Sequence, residues 1–474
     1  MVDNLMVDNG IVKVALINPP PPAGAFVHYQ SPLIGVAYIA AVLEEKGFDI
    51  KVIDCPLLNM SYEGLKQEIE RYKPDIVGIT SVTVTFSSAV QAAHAVKEVD
   101  PQILVVLGGP HVTVLDEQTV GENPDVDVVV RGEGEATMLE LAELVAKSKL
   151  HNFGGVKGIT FRENSKIVRT EERDFIQNLD ELPHPAYKYF PLEKYRLYGK
   201  LILPITTSRG CFANCSFCLA PRMAGRVFRA RSPKNVVDEL ELFKNLYKPD
   251  AFTFHDETFT TDKDRAIAIC NEIKQRKIGL PWDCSTRVDR ISEDVLVKMK
   301  EAGCQLVSFG AESGSQAILN SMRKGTTVEQ NEMAIKLVKE AGMVVTVSMI
   351  IGYPGETKET LEQTLNFIRR TQPDDVHLSL ATSYPGIELN RVVKDLGWEM
   401  CEDWCQCDMQ AQVFKNPALP VDLVKIRREF YKEFYSWSYI LRQSLKRNFY
   451  SQIMARAALN NHLWRIRQSI NSIA

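Results

Sequence analysis

The chain has 474 residues, 45% of them hydrophobic and 24% charged, which is ordinary for a globular protein of two or three domains. A formal net charge of −4 argues against a general nucleic-acid-binding protein. Residues 1–10 are polar, and no apolar run approaches the length needed to span a bilayer. Ten cysteines diluted in so long a chain, with no apolar signal segment before them, indicate free thiols in a reducing, cytoplasmic compartment.

Strand and helix patterns alternate through residues 11–150. Apolar runs typical of buried strands occur at 12–18, 49–54, 75–80, 103–107 and 126–131, with helical patterns at 34–46, 62–72 and 87–99. This alternation predicts a doubly wound parallel sheet, whose ligands bind at the carboxyl ends of the strands. The loops expected there contain Ser81, Thr83, Gly108, Gly109, His111, Gly132, Glu133 and Gly134. No G-x-G-x-x-G opens the first helix, so a dinucleotide site is not expected, and tight turns are the alternative explanation of the glycines.

A connecting segment is predicted at 151–199. Residues 155–169 have the pattern of a β-hairpin, and Pro183 and Pro185 punctuate the linker that follows. Aromatic residues then cluster between 187 and 198, and we expect them to pack between domains.

Three cysteines follow an apolar strand pattern at 201–205. Cys211, Cys215 and Cys218 form a C-x3-C-x2-C array on the loop that leaves this strand. Three thiolates this close suit one soft metal centre and leave a ligand position open. A structural zinc site would normally have a fourth ligand nearby, but the next candidates are His255 and Cys270. Structural zinc and incidental thiols stay as the alternatives.

Alternation resumes through 200–395, with further strand patterns at 251–255, 282–285, 306–310, 344–350 and 375–380. Barrel enzymes place their chemistry at the carboxyl ends of such strands. The residues expected at those ends are Asp256, Glu257, Ser285, Arg287, Glu312, Gly352 and Glu356. A surface charge or a loop turn is the alternative explanation for any single one of them.

The region 396–474 is predicted to be helical. Its C-x3-C-x-C array (Cys401, Cys405, Cys407) is explained by structural thiols, with an auxiliary metal site as the alternative. After Val421 the chain carries ten Lys or Arg against three Asp or Glu, together with many aromatic residues. Such a tail either caps the barrel or docks an acidic partner or a membrane surface, and we expect it to set substrate choice.

The cysteine spacing, preceded by the GGPH and RGEGE stretches at 108–111 and 131–135, resembles the cobalamin-binding subclass of radical S-adenosylmethionine (SAM) enzymes. The resemblance covers residues 12 to 389. It implies an α/β architecture: an N-terminal Rossmann-like, flavodoxin-type cobalamin-binding domain (11–150), a partial (β/α)6 radical SAM barrel (200–395) and a C-terminal helical region.

The same resemblance implies the cofactors and their ligands. Cys211, Cys215 and Cys218 would hold a [4Fe–4S] cluster whose fourth iron binds SAM. Asp256 and Glu257 would bind the SAM amino group, and Ser285 and Arg287 its carboxylate. Glu312 would bind its ribose hydroxyls or its sulfonium side, and Gly352 and Glu356 its adenine. The N-terminal loop residues, from Ser81 and Thr83 to Gly134, would bind cobalamin. Because no histidine lies in a D-x-H-x-x-G motif, cobalt is expected to lack a histidine ligand.

The implied function is cobalamin-dependent C-methylation of an unactivated carbon, through a 5′-deoxyadenosyl radical and methylcobalamin. A protein or peptide acceptor is favoured, with a lipid or tetrapyrrole as alternatives, and an external donor such as ferredoxin or flavodoxin would supply electrons. The alternative reaction is oxidative cyclisation or ring rearrangement. The alternative outside enzymes is a cobalamin or cluster sensor.

Overall fold

The computed structural model describes residues 6–7, 10–22, 31–147, 153–401 and 403–471. Its strands are β1 (Met6–Val7), β2 (Gly10–Ile11), β3 (Lys13–Asn18), β4 (Asp49–Asp54), β5 (Ile76–Thr80), β6 (Leu104–Gly108), β7 (Val128–Val130), β8 (Ile159–Glu163), β9 (Lys166–Arg169), β10 (Ile202–Ile205), β11 (Ser208–Arg209), β12 (Arg229–Ala230), β13 (Ala251–Phe254), β14 (Trp282–Thr286), β15 (Cys304–Glu312), β16 (Val344–Ile351) and β17 (Asp375–Leu380). Its α-helices are α1 (Ile34–Glu45), α2 (Cys55–Leu58), α3 (Tyr62–Tyr72), α4 (Phe86–Val99), α5 (Pro110–Val114), α6 (Asp116–Glu122), α7 (Glu135–Ala146), α8 (Ala220–Met223), α9 (Pro233–Tyr247), α10 (Lys263–Gln275), α11 (Glu293–Glu301), α12 (Gln316–Ser321), α13 (Val328–Glu340), α14 (Lys358–Thr371), α15 (Glu388–Asp395), α16 (Leu423–Phe434), α17 (Trp437–Leu445) and α18 (Phe449–Asn471).

The first sheet has the strand order β4-β3-β5-β6-β7-β8-β9. Strands β3 to β7 pair in parallel, and the predicted hairpin is present as β8 and β9, which extend this sheet in antiparallel fashion. Alternate residues of β3 face opposite sides, with Val14 and Leu16 packing with α1 and α7, and Ala15 and Ile17 with α3 and α4. Burial on both faces explains the continuous apolar runs and confirms the predicted doubly wound sheet.

The second sheet is entirely parallel, in the order β10-β13-β14-β15-β16-β17. Along the chain, each strand of this sheet is connected to the next through a helix. The connecting helices are, in order, α9, α10, α11, α13 and α14. The ring of Trp282 stacks on Phe254 at 4.8 Å and meets the edge of Phe259 at 5.6 Å, forming an aromatic core behind β13 and β14. This open, six-stranded arrangement confirms the expected partial barrel.

The linker packs between the two sheets. The Tyr187 hydroxyl donates to the carbonyl of Pro204 in β10 at 2.7 Å, and the Tyr195 hydroxyl donates to the carboxylate of Asp54 at the end of β4. Both tyrosines are buried, together with Phe190. The aromatic cluster therefore lies where the linker pattern predicts it, between the two halves of the molecule.

The C-terminal helices close the amino-terminal end of the barrel. Asp374, just before β17, accepts hydrogen bonds from Gln443 and Lys446, and the Tyr450 hydroxyl donates to the carbonyl of Phe252. Helix α16 lies along β17, with the Tyr431 hydroxyl accepting from the Leu378 amide at 2.8 Å.

Helices α17 and α18 lie opposite the strand ends that carry the polar residues. The expectation that the tail sets substrate choice stays a prediction. Residues 398–401 and 403–416 lie at the other end of the barrel instead, where the turn Trp404–Gln406 contacts the turn Thr83–Thr85 of the first sheet. Within the described part of the chain, no helix is long and apolar enough to cross a membrane.

Candidate active site between the two sheets

A cavity of about 650 Å³ lies between the carboxyl ends of the two sheets. Such a volume is typical of a small-molecule site. The first sheet contributes the ends of β5, β6 and β7 and the loops after them, including Gly108, Gly109, Gly132, Glu133 and Gly134. The second sheet contributes Thr206, Ser208, Arg209, His255 and Glu257. The structure thus brings part of both predicted sets of binding residues to one space.

Glycines form the floor of this cavity on the side of the first sheet. A Cβ atom built on Gly108 or Gly132 would meet no atom within 4 Å, so a side chain there would occupy the cavity. Gly109 differs, because its φ is +109° and a Cβ would lie 2.4 Å from the carbonyl oxygen of Ser81. These loops allow a large flat ligand to approach the backbone closely, as a corrin ring requires.

We expect Gly109→Ala to destabilise the protein by at least about 2 kcal/mol, because the new methyl would combine a backbone clash with an unfavourable φ. Urea unfolding measures the effect. Gly154→Ala is the matched control, since a Cβ there meets nothing within 4 Å. Equal free energies of unfolding for the two variants would contradict the prediction.

Ser81, Thr83 and His111 lie outside the lining of the cavity. Ser81 is buried against Gly109, and its amide donates to the carbonyl of Gly108 at 2.8 Å. Thr83 is buried in the turn that packs against residues 404–406. His111 is buried on α5, between the rings of Phe86 and Trp404, with centroids 4.2 and 5.3 Å away. Their assignment to cobalamin stays a prediction, while Gly108, Gly109, Gly132 and Gly134 face the cavity.

The burial of His111 predicts a pH dependence of stability. Neither ring nitrogen has a hydrogen-bond partner among the residues that the structure describes, and burial lowers the pKa of this imidazole from 6.5 to about 4. Since the unfolded chain binds the proton more tightly, the contribution of the neutral ring is complete above about pH 6.5. It declines as the pH falls toward 4, by up to about 3 kcal/mol.

We therefore expect His111→Phe to lose less unfolding free energy than the wild type between about pH 7 and about pH 5. Urea titrations of the protein without cofactors measure this difference. His94→Gln is the control, because the His94 side chain is 61% exposed. An unchanged pH dependence in His111→Phe would show that another group titrates.

The cysteine loop begins beside a short ribbon of two strands. Strand β11 ends two residues before Cys211, and β12 pairs with it after the loop, with Arg209 opposite Arg229. Cys211, Cys215 and Cys218 are free and partly accessible. The Arg287 guanidinium lies 3.9 Å from the Cys215 sulfur. Three thiols with a cationic neighbour fit an anionic iron–sulfur cluster, which thiolates bind.

Asp256 stabilises the residues that lead into this loop. Its buried carboxylate accepts hydrogen bonds from the amide of Thr207 at 2.7 Å and from the hydroxyls of Thr207 and Ser208 at 2.5 and 2.6 Å. With these three bonds Asp256 holds the strand-to-loop turn, so of the predicted pair it is Glu257 that faces the cavity. Burial raises the pKa of Glu257 and lowers that of His255 beside it.

The other strand-end residues surround the cysteine loop. Arg287 also donates to Asp289 and to the carbonyl of Lys324. The buried Glu312 accepts from Lys324 at 2.8 Å and has a φ of +65°, at an irregularity of β15. Such a strained, buried carboxylate is typical of a functional site. Ser285 is accessible at the end of β14.

Gly352 and Glu356 form a closed unit at the end of β16. The buried Glu356 carboxylate accepts from the Gly352 amide, and its other oxygen has no partner among the described side chains and backbone groups. Burial raises the pKa of Glu356 to about 7. The pair shapes the loop, and a contact with adenine stays a prediction.

An ion-pair network joins the two halves beside the cavity. Glu133 accepts from Arg209 at 3.0 Å and from Arg229 at 2.9 Å, while Glu135 accepts from Arg209 at 2.6 Å. All four side chains are at least 86% buried. Burial alone would raise the pKa of Glu133, but the bond from Arg229 and the charge of Arg209 lower it below its ordinary value.

Sequence reasoning missed both arginines and assigned Glu133 to cobalamin. The signal was available, since arginines flank the cysteine loop on both sides and the carboxylates follow β7, at the same edge of the other sheet. We call the four residues Arg209, Arg229, Glu133 and Glu135 the interdomain clamp.

The C-terminal cysteines lie near the turn at 404–406. Cys407 is buried, and burial with the nearby Cys401 raises its pKa to about 12. In the described part of the chain, no three His, Cys, Asp or Glu side chains stand at single-ion geometry, here or in the cysteine loop. The structure therefore adds no support to an auxiliary metal site.

A doubly wound sheet followed by a partial barrel, with free cysteines and a cavity between the two, defines a two-part α/β protein built around paired cofactor sites. The family models agree with this class. The B12 binding domain model matches residues 22–142, and the Radical SAM superfamily model matches residues 205–368.

Three relatives illustrate the similarity. The chain is 37% identical to an uncharacterized methyltransferase, PH0819, of Pyrococcus horikoshii, over 82% of this chain and 86% of that protein. It is 34% identical to the anaerobic magnesium-protoporphyrin IX monomethyl ester cyclase of Rubrivivax gelatinosus, over 78% and 68%. The radical SAM methyltransferase TsrM of Kitasatospora setae shares the fold, with a TM-score of 0.70 over 81% of this chain and 78% of that one, at 19% identity.

The chain belongs to the B12-binding radical SAM family. The cofactors of this family are cobalamin, a [4Fe–4S] cluster and SAM, as the cysteine spacing and the glycine loops predict.

Proposed function

We propose that this protein is a cobalamin-dependent radical SAM C-methyltransferase. The observation that carries the proposal is the shared cavity, because the glycine loops of the first sheet and the residues before the cysteine loop face the same space. A methyl carrier and a radical source must act on one substrate carbon, so their sites have to adjoin. The similarity to a protein named as a methyltransferase supports the same reaction.

The chain's own residues would bind and orient these cofactors and exclude water. We assign Cys211, Cys215 and Cys218 to the cluster. Glu257, Ser285, Arg287, Glu312, Gly352 and Glu356 are assigned to SAM, and Gly108, Gly109, Gly132 and Gly134 to cobalamin. When bound, the cofactors supply a carbon-centred radical and a transferable methyl group.

Asp256 is assigned a supporting role, since Thr207 and Ser208 occupy its carboxylate oxygens. His255 lines the cavity from the barrel side, away from the glycine loops that would hold cobalamin. We therefore keep the proposal that cobalt lacks a histidine ligand.

The acceptor is the open part of the proposal. We favour a protein or peptide side chain by analogy with shorter members of the subclass, and a lipid or tetrapyrrole is the alternative. The similarity to a cyclase that acts on a porphyrin favours oxidative cyclisation as the second candidate reaction. For partners we propose a low-potential donor such as ferredoxin or flavodoxin, and peripheral contact of the basic tail with a membrane.

Anaerobic reconstitution with iron, sulfide and a corrinoid tests the proposal. Incubation with SAM and a reductant should yield 5′-deoxyadenosine, and its absence would favour a sensor. Label from methyl-deuterated SAM should appear in a product formed from host extract, whereas unlabelled, oxidised product would favour the cyclase. A protein that binds no corrinoid would contradict both reactions.

A further inference from the structure

Helix α17 leaves an apolar row exposed. Trp437, Leu441 and Leu445 are 56%, 63% and 74% exposed, and their spacing of four residues places them along one face. The opposite face, with Tyr439, Ile440 and Gln443, is buried against the rest of the protein. Single exposed apolar residues need no explanation, but a row of three on one helix marks an interaction surface. We call it the α17 row.

Positive charge surrounds the α17 row. The sequence contains no Asp or Glu after Glu433, so the last 41 residues carry only basic charges. Arg442 lies in the row's own helix and is exposed, as is Arg447 just after it. Lys446 is different, because it pairs with Asp374 of the barrel. An apolar face with a Trp, flanked by exposed arginines, has the composition of a helix that lies in a membrane interface.

We propose that the α17 row docks this protein on an anionic lipid bilayer. The row would enter the headgroup region, and Arg442 and Arg447 would meet lipid phosphates. This inference rests on the membrane contact proposed above and is independent of methyl transfer. To that membrane contact it adds which surface of the protein binds and which lipid charge is preferred. It also adds the orientation of the protein, with the amino-terminal end of the barrel toward the bilayer.

An acidic electron donor is a poorer occupant of this surface. The cysteine loop follows the carboxyl end of β10, whereas α17 packs at the amino-terminal end, beside Asp374. Strands of four to nine residues, at about 3.3 Å per residue, separate the two ends. A donor on the α17 row would face the closed end of the barrel, so it would be remote from the cluster site.

Co-sedimentation of the full chain with vesicles tests the proposal. Vesicles of equal parts phosphatidylglycerol and phosphatidylcholine should bind the wild type, and vesicles of phosphatidylcholine alone should bind it weakly. The double variant Leu441→Gln/Leu445→Gln should bind anionic vesicles at least about tenfold less tightly. Arg442→Gln/Arg447→Gln should lose about tenfold and become less salt-sensitive.

Leu246→Gln is the matched control, because Leu246 is 60% exposed on α9, and it should bind as the wild type does. Circular dichroism confirms that each variant is folded, and 5′-deoxyadenosine formation should be unchanged in all of them. Equal vesicle binding by the Leu441→Gln/Leu445→Gln variant would overturn the proposal. So would a wild-type dimer that this variant dissociates, since the row would then be a self-association surface. Loss of methyl transfer with intact vesicle binding would contradict only the proposed reaction.

Discussion

Cys215→Ala is expected to abolish 5′-deoxyadenosine formation while leaving corrinoid binding intact. Three thiolates are the minimum that holds the cluster and keeps one iron free, so loss of one removes cluster and SAM cleavage together. The glycine loops follow β6 and β7 of the first sheet, whereas Cys215 lies on the loop that follows β11. Iron content and deoxyadenosine yield measure the first effect, and corrinoid retention on gel filtration measures the second.

Cys401→Ala is the control, because this cysteine has similar exposure but lies outside the cysteine loop. It should keep both iron and turnover. If Cys215→Ala also loses the corrinoid, the two cofactor sites are coupled, and their proposed independence is wrong.

Glu133→Gln is expected to lower the free energy of unfolding by about 3 kcal/mol, because it leaves Arg229 and part of Arg209 buried without a counter-charge. The larger effect should be on the coupling of radical formation to methyl transfer. The clamp joins the loop after β7 to both strands that flank the cysteine loop, so its loss would shift one cofactor site against the other. Deoxyadenosine should still form, but less methylated product should form per deoxyadenosine.

The product ratio separates this positioning role from simple destabilisation, which would lower both products equally. Since the pKa of Glu133 is lowered in the folded protein, its stabilisation is present above the unfolded pKa and is lost as the pH falls through the folded pKa. The acid sensitivity of Glu133→Gln should therefore be smaller. Glu171→Gln, which breaks the exposed pair with Lys157, is the control and should leave the ratio unchanged.

Local patterns explain what the sequence could predict. The ligand spacing of Cys211, Cys215 and Cys218 lies within eight residues, and both sheets follow from apolar runs that alternate with helices. The same logic placed Arg287 and Glu312 at strand ends. These features need no knowledge of how the two halves of the chain meet.

The remaining features of the site depend on how distant parts of the chain pack together. Glu133 and Arg229 are 96 residues apart, and Thr207 reaches Asp256 across 49, so their pairing depends on tertiary geometry that no window of sequence contains. Composition identified the aromatic, basic tail but could not indicate which end of the barrel it closes. His111 was expected to contact the cofactor because it lies on the same loop as Gly108 and Gly109. Its side chain instead packs between Phe86 and Trp404.

The contact between α16 and β17 has a consequence for aggregation. An open six-stranded sheet ends in a strand with free backbone groups, which invites pairing with another chain. Here the Tyr431 hydroxyl accepts from the Leu378 amide, and the Tyr435 hydroxyl donates to the Asp375 carboxylate at 2.5 Å and lies 3.2 Å from the Val376 carbonyl. Two tyrosine hydroxyls thus lie at backbone groups that a neighbouring strand would otherwise bind. Phenylalanine at both positions would remove these hydrogen-bonding hydroxyls from the edge, and so favour edge-to-edge assembly whenever α16 separates from β17.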